Sequence, residues 1–546
     1  MVDLEPLKQK LCSKTQVLEP GTEEYSKAVF IGNLNYRMMM PAAIVEARSV
    51  KDVQATVVFA KENKLRLTVK NGGHSYMGYC LNHKGIMLDL SCMKDISIDA
   101  DKMTIRMQGG LVWKDVYHEF NDKDPSLIAI GGQCPTVGVS GFTLGGGLSP
   151  FSRSYGLACD NLLAMTIVTY EGEIVTATLN DQDKKKRDLF WALRGGGGGN
   201  FGVTVEMTCK IHKLRDEKGM VFCGYLTWNL PQQRDAFDKM MEVFNKTEFP
   251  DELTLDAQWR HGKKKQLTGG MTVFYNGDEP AAQKVLKPLL AFKPAVNGLK
   301  AMKWSDWVHR SEGWNPFSQV YHHHASFIFA EGAITQDLNT KISDLVAKGA
   351  ELLGVTDEDG PNDPKCHILW DHIGGATSKV DPKDTAFPWR NGHYVSTVKL
   401  QWTKPEQVIT VANLIMDCQK TLLPHAIEQK AAYINYIDET AQHWQEAYYN
   451  QNYPRLQQVK TDWDPYNFFR NPLSIELTHG RKVTVVHRTL AGDSEEEIQD
   501  LDRVQTMTGL WEKYGNLVTP NLLGSPRTEE EVYRRDAEIR REILKG

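Results

Sequence analysis

Three glycine-rich loops, NGGHS at 71–75, GVSGFTLGGGLS at 138–149 and RGGGGGNFG at 194–202, can bring backbone within reach of a ligand. Glycine N–H groups in series cradle phosphates with no side chain in the way. Three such loops in one half of the chain point to a nucleotide-like cofactor, with plain tight turns as the alternative. His74 lies inside the first loop and Cys134 just ahead of the second.

Gly197, Gly199 and Gly202 form a literal G-x-G-x-x-G, but its flanks have the wrong order. A dinucleotide fingerprint needs a strand before and a helix after, whereas DLFWALR reads helical and VTVEMTCKI alternates as a strand. The Walker pattern is absent as well. The run His322-His323-His324 would, on a strand, place His322 and His324 on one face and His323 on the other. That pair could position a polar substrate. A metal site would need a third ligand that the sequence does not reveal, so no metal is expected.

The elements that must position these loops are short strands and helices. Ser49 and Asp52 have the spacing of a capping box, and Val53, Val57 and Ala60 recur at helical spacing, which predicts a helix from near 50 to near Asn63. Leu65 to Val69 reads as a strand running into the first glycine loop, and MTIVTYEGEIVTAT (165–178) reads as a hairpin about Glu171-Gly172. Between about 215 and 430, strand-like segments (VFCGYLTWNL, GGMTVFYNG, HYVSTVKLQW) are separated by helical stretches such as AAQKVLKPLLAF, which suggests a second domain. Towards the end, TEEEVYRR and IRREILKG suit solvent-facing helices aligned with the macrodipole. The fold class is α+β.

Composition narrows the partners. The 546 residues are 41% hydrophobic and 24% charged, an ordinary globular balance with room for several cores. Sixty-four Lys and Arg against 69 Asp and Glu give a net charge of −5, which offers no electrostatic reason to bind nucleic acid or an anionic membrane. A small molecule is the expected partner. The start, MVDLEPLKQKLCSKT, lacks the apolar core of a signal peptide, so an intracellular location is expected. The nine cysteines contain no C-x-x-C pair and read mostly as buried small hydrophobes.

At NGGHS followed by GGQCPTVGVSGFTLGGGLSPFSRSYGLACDNL, the sequence resembles the FAD-linked oxidases of the vanillyl-alcohol-oxidase superfamily, in the berberine-bridge-enzyme-like branch. TAFPWRNGHY (385–394), YINYID (433–438), NYPRLQQVK (452–460) and DPYNFFRNPLSI (464–475) resemble that branch's substrate-domain and C-terminal signatures, in the expected order. The resemblance implies a PCMH-type, two-subdomain FAD-binding domain over 1–214 and a substrate domain over 215–460 with an antiparallel sheet covered by helices. It also implies that a segment over 461–546 returns to the FAD-binding domain.

It further implies bicovalent FAD, with an 8α-histidyl bond to His74 and a 6-S-cysteinyl bond to Cys134. Both side chains are nucleophiles able to attack an electron-poor flavin. Asn71, Gly72, Gly73 and Ser75 are expected at the pyrophosphate, and Val137, Gly138, Gly141, Gly146, Gly147, Asp160, Asn200, Gly202 and Asn467 around the rest of the cofactor. Tyr436, the second tyrosine of Y-x-N-Y, is the expected base, which requires a nearby positive charge or donor to stabilise phenolate. His322, His324, Trp389 and Tyr433 are the expected substrate contacts. In an extended chain, Tyr433 faces opposite Tyr436 and takes less part in the chemistry. Trp389 stands where many relatives have a histidine, which suggests an apolar pocket for an aromatic or terpenoid substrate. Val137, three residues after the attachment cysteine, is of the type found in oxygen-reactive members, so O2 is the expected acceptor and H2O2 the product. The implied reaction is oxidation of an alcohol, hemiacetal or activated C–H of a small specialised metabolite, with or without ring closure. A carbohydrate oxidase and a flavin carrier without catalysis are the competing readings.

Overall fold

The computed structural model describes residues 3–37, 39–261, 266–310, 320–355, 362–478, 533, 534 and 536–541. Among the described residues the strands form three sheets. The first has Ala43–Glu46, Ile86–Asp89 and Leu67–Lys70 in parallel, with Gln16–Leu18 antiparallel at one edge. Parallel strands of one sheet need a crossover, and the helix Val50–Glu62, where the capping pattern predicts one, carries the chain from Ala43–Glu46 to Leu67–Lys70 on the far side of Ile86–Asp89. Ser49 Oγ accepts the N–H of Asp52 at 3.2 Å, satisfying one of the orphan donors of the first turn. The strand Leu67–Lys70 delivers the chain into the first glycine loop.

The second sheet is antiparallel and centred on the long strand Val203–Lys213, flanked by Thr104–Gln108 and Leu162–Val168. Leu162–Val168 and Ile174–Thr178 pair as the expected hairpin, with Gly172 at φ +82° in its turn. The third glycine loop joins the helix Lys184–Ala192 to this strand, so helix precedes strand and the dinucleotide-fold reading fails for the reason the flanks gave.

The third sheet runs in the order Val296–Asn297, Met220–Asn229, Leu267–Tyr275, Leu253–His261, Lys365–His372, Tyr394–Trp402, Tyr321–Phe329. Every pairing in it is antiparallel. Because side chains alternate along a strand, Cys366, Ile368 and Trp370 join one core. The helices Leu230–Lys246 and Gln336–Leu353 cover that face. The alternate residues His367, Leu369 and Asp371 face the other way, and Asp371 borders the cavity that the glycine loops also line. This sheet therefore has an apolar side for stability and a polar side for chemistry.

The C-terminal signatures return to the first sheet: Phe468 and Phe469 pack with Val45, Leu67, Leu88, Val168 and Val203. Of the two charged helical patterns, TEEEVYRR lies outside the described residues except for Tyr533 and Arg534, while IRREILKG contributes residues 539–541 to a helix. That helix faces solvent on one side only, through Arg534, Glu538 and Arg541. Asp536 and Arg540 are buried, and Asp536 pairs with both Arg37 at 2.9 Å and Arg540 at 2.7 Å. Six of the nine cysteines (80, 159, 209, 223, 366 and 418) are buried. Among the described residues no helix is long and apolar enough to cross a membrane, and no cluster of His, Cys, Asp or Glu is arranged to hold a metal ion.

Candidate active site

A cavity of about 490 Å³ lies between the glycine loops and the polar side of the third sheet. Glycine is required where the loops meet. A Cβ on Gly72 would stand 2.6 Å from the backbone N of Gly138, and one on Gly138 would stand 1.9 Å from Asn71 Oδ1. Only bare backbones can approach so closely, and the approach carries His74 to the cysteine loop. His74 Nε2 lies 2.9 Å from Thr136 Oγ1, and Cys134 Sγ lies 3.6 Å from the same hydroxyl. Burial, assisted by the charge of Lys399, pushes the His74 imidazole down to about 3, so it is neutral and its ring retains a lone pair.

The part of the lining supplied by the third sheet is acidic. Tyr436 Oη donates to Asp371 Oδ2 at 2.9 Å. The register Ala257↔Trp370, continued by one residue, sets Asp256 beside Asp371 on the neighbouring strand. Asp256 Oδ1 accepts the backbone N–H of His372 at 2.9 Å, and Oδ2 accepts Gln133 Nε2 at 3.2 Å. The indole N–H of Trp307 donates to Gln133 Oε1 at 3.0 Å. An indole can only donate, so this bond fixes which end of the amide faces Asp256. Burial pushes Asp371 up to about 6, and burial together with the Asp371 charge holds Asp256 well above the usual carboxylate range. Tyr436 is held well above its ordinary value by burial and then by Asp371. It is a neutral phenol aimed at a carboxylate.

Residues 41–178 match the family profile described as "FAD binding domain", and residues 432–476 match "Berberine and berberine like". An uncharacterised FAD-linked oxidoreductase of Bacillus subtilis is 30% identical over 465 residues, spanning 84% of this chain and 97% of that protein. The berberine bridge enzyme-like 4 protein of Arabidopsis thaliana is 28% identical over 486 residues, spanning 83% and 87%. The chain belongs to the berberine-bridge-enzyme-like FAD-linked oxidoreductases. A Physcomitrella patens BBE-like 1 structure has the same fold, with a TM-score of 0.74 at 24% identity over 88% of this chain and 100% of that one.

The cavity suits the FAD that this family uses. A Cβ on Gly141 would meet nothing within 4 Å, while one on Gly198 or Gly199 would meet a single side-chain atom, at 3.8 and 3.6 Å. The loops are open on the side where a ligand must lie. Asn71, Gly72, Gly73, His74, Ser75, Cys134, Val137, Gly138, Gly141, Asn200, Gly202, Tyr433 and Tyr436 all line the cavity. Several polar side chains among them shape the loops. Asn71 Oδ1 accepts Ser140 Oγ at 2.9 Å, Ser75 Oγ accepts the N–H of Tyr79 at 3.1 Å, and Asn200 Nδ2 reaches the carbonyls of Gly196, Gly197 and Gly198.

Other expected positions lie outside the cavity wall. Asp160 forms a buried two-point pair with Arg390, at 2.7 and 2.8 Å, and accepts the N–H of Leu157. Gly147 supports Tyr433 from behind through its N–H, 2.7 Å from Tyr433 Oη, and Gly146 also stands against that ring. Asn467 takes a left-handed turn at φ +52° that starts the docking of Phe468 and Phe469. Trp389 is 1% exposed in an apolar cluster and donates to Ala447 O at 2.8 Å, so the apolar pocket inferred from it is not found. His322 and His324 do share a face, as alternation requires, but both are buried behind the wall. His324 stacks on cavity-lining Tyr76 at 3.5 Å, and the backbone of His322 is gripped by Asn33. His323 turns the other way, to Asp438 at 3.1 Å.

Tyr433 corrects a further expectation. Residues Ile434–Tyr436 form a 3-10 turn instead of an extended segment, and such a turn returns i and i+3 to one side. The rings of Tyr433 and Tyr436 therefore meet edge to face at 5.3 Å. Asp371, Asp256, Gln133, Thr136 and Tyr76 escaped sequence reasoning. Gln133 and Thr136, inside the cysteine motif, and Tyr76, directly after NGGHS, had a local signal; Asp256 and Asp371 had none.

Proposed function

We propose that the protein is an FAD-linked oxidase that carries its flavin covalently on His74 and Cys134 and oxidises a hydroxyl-bearing carbon of a small molecule, with O2 as acceptor and H2O2 released. The observation that carries this reading is the Tyr436–Asp371 hydrogen bond, in the same cavity as His74 and Cys134. Oxidising a carbinol carbon to a carbonyl removes a hydride from carbon and a proton from the hydroxyl. The flavin, when bound, supplies the hydride acceptor and returns the electrons to O2. The chain must take the proton. Tyr436 can receive it at Oη while passing its own proton to Asp371 Oδ2, so no free phenolate is needed and no cation is required to stabilise one. A neutral His74 and a cysteine in an accessible loop are both suited to attachment. Val137 lines the cavity beside Cys134, which fits the oxygen-reactive assignment.

The lining is polar around Tyr436 and apolar elsewhere, with Leu148, Ile373, Ile434 and Ile437 among its residues. Gln133, Asp256, Asp371, Tyr76, Asn435 and Tyr436 all border the cavity, whereas Trp389, the reason for expecting an aromatic or terpenoid, does not. The polar patch around Tyr436 suits a hemiacetal or polyol at the reacting end, including the reducing end of an oligosaccharide, and this is the polar reading to be tested. The test is peroxide release by the purified protein against oligosaccharides and against aromatic, polyketide and terpenoid alcohols. Turnover of the first set supports the polar reading, and turnover confined to the second contradicts it.

A further inference from the structure

Behind the third glycine loop lies a lysine with no contact to solvent. Lys460 sits in the last turn of the helix Tyr453–Trp463, with its side chain 0% exposed. A buried ammonium is strongly unfavourable unless each proton finds an acceptor. Here all three do: Asn200 O at 2.6 Å, Phe469 O at 2.5 Å and Asp464 Oδ2 at 2.6 Å. Asn200 belongs to the third glycine loop and Phe469 to the C-terminal signature, and both line the cavity.

The other members of the cluster reinforce the same joint. Asp464, four residues on, also accepts the N–H groups of Phe468 and Phe469 at 2.8 and 2.9 Å, so the carboxylate shapes the turn that Lys460 clamps. Asn200 Oδ1 accepts the N–H of Ile475 at 3.0 Å, and Tyr449 Oη donates to Gly196 O at 2.9 Å. The loop that must fit the cofactor is thus held by Tyr449, Lys460 and Ile475 together. The charged pair at the centre of the joint links the end of NYPRLQQVK to the start of DPYNFFRNPLSI.

We propose that Lys460 is a positioning residue for the cofactor: its ammonium locks the third glycine loop to the 464–475 segment, so that FAD is captured only once that segment has docked. The proposal rests on the FAD reading of the cavity. Removing Lys460 alone would strand a buried carboxylate, so the informative variant is Lys460→Met with Asp464→Asn, which removes both charges.

The experiment measures FAD per chain in the purified full-length protein by absorbance, alongside far-ultraviolet circular dichroism and thermal melting. The double variant, in which neither charge is left stranded, should keep its secondary structure yet purify with clearly less FAD per chain than the wild type, because the third glycine loop and the 464–475 segment lose the bonds that join them. Lys460→Arg, which keeps the charge but not the compact three-proton head, should load to an intermediate level and guards against a double variant that does not fold. Full loading of either variant, beside a loaded wild type, overturns the lock and leaves the FAD reading intact. A wild-type chain that takes up no FAD overturns both.

Discussion

The two walls of the cavity are built in opposite ways. The loop wall comes from contiguous motifs, NGGHS and QCPTVGVSG, whose glycines let Gly72 and Gly138 pack backbone to backbone and bring His74 and Cys134 to one hydroxyl. The acidic wall is assembled from distant strands. Asp256, Asp371 and Tyr436 meet only because the antiparallel register sets two strands side by side and a 3-10 turn points a tyrosine at them. The two attachment residues are thus written in contiguous motifs, whereas the proton chemistry, like the Lys460 contact to the third glycine loop, is a product of topology.

The sharpest way to separate the walls is Asp371→Asn. It should leave the flavin bound and its spectrum intact, yet slow anaerobic flavin reduction by roughly 10²–10⁴-fold, the usual contribution of a positioned base. An unchanged reduction rate would remove Asp371 from the chemistry. The pH dependence has a definite sign. Asp371 must be ionised to take a proton, so flavin reduction should rise with pH through about 6 and be lost below it. A profile that falls across that range would contradict the assignment.

On the loop wall, Gly138→Ala forces a Cβ to 1.9 Å from Asn71 Oδ1. It should cost about 1–3 kcal/mol of stability and reduce flavin incorporation, read by thermal melting and absorbance. The smallest effect is expected at Trp389→Phe. This variant loses the hydrogen bond to Ala447 O and about 1 kcal/mol, with KM unchanged because the indole does not border the cavity.

The contrast also explains what the sequence reveals by itself. The helix Val50–Glu62, the hairpin of Leu162–Val168 with Ile174–Thr178 and the helix-before-strand order around Gly197 follow from capping, alternation and turn residues, all local signals. The glycine loops are legible for the same reason. Asp371 is not, because nothing in LWDHIGG distinguishes it until Tyr436, 65 positions later, is folded against it. Asp160 sits in a family signature, which suggests a cofactor ligand, yet Arg390 claims both its oxygens. A motif substitution suggests Trp389 as pocket lining, but its ring points into an apolar cluster. Tyr433 departs from expectation because the backbone turns where an extended chain would have kept the two tyrosines apart.

The attachment of FAD through the loop wall is the claim most directly open to measurement, by intact mass of the denatured protein. The wild type should keep one FAD per chain through denaturation. His74→Ala and Cys134→Ala should each keep a single remaining link, and the double variant should keep none. Release of FAD from the denatured wild type, or its retention by the double variant, would contradict the account.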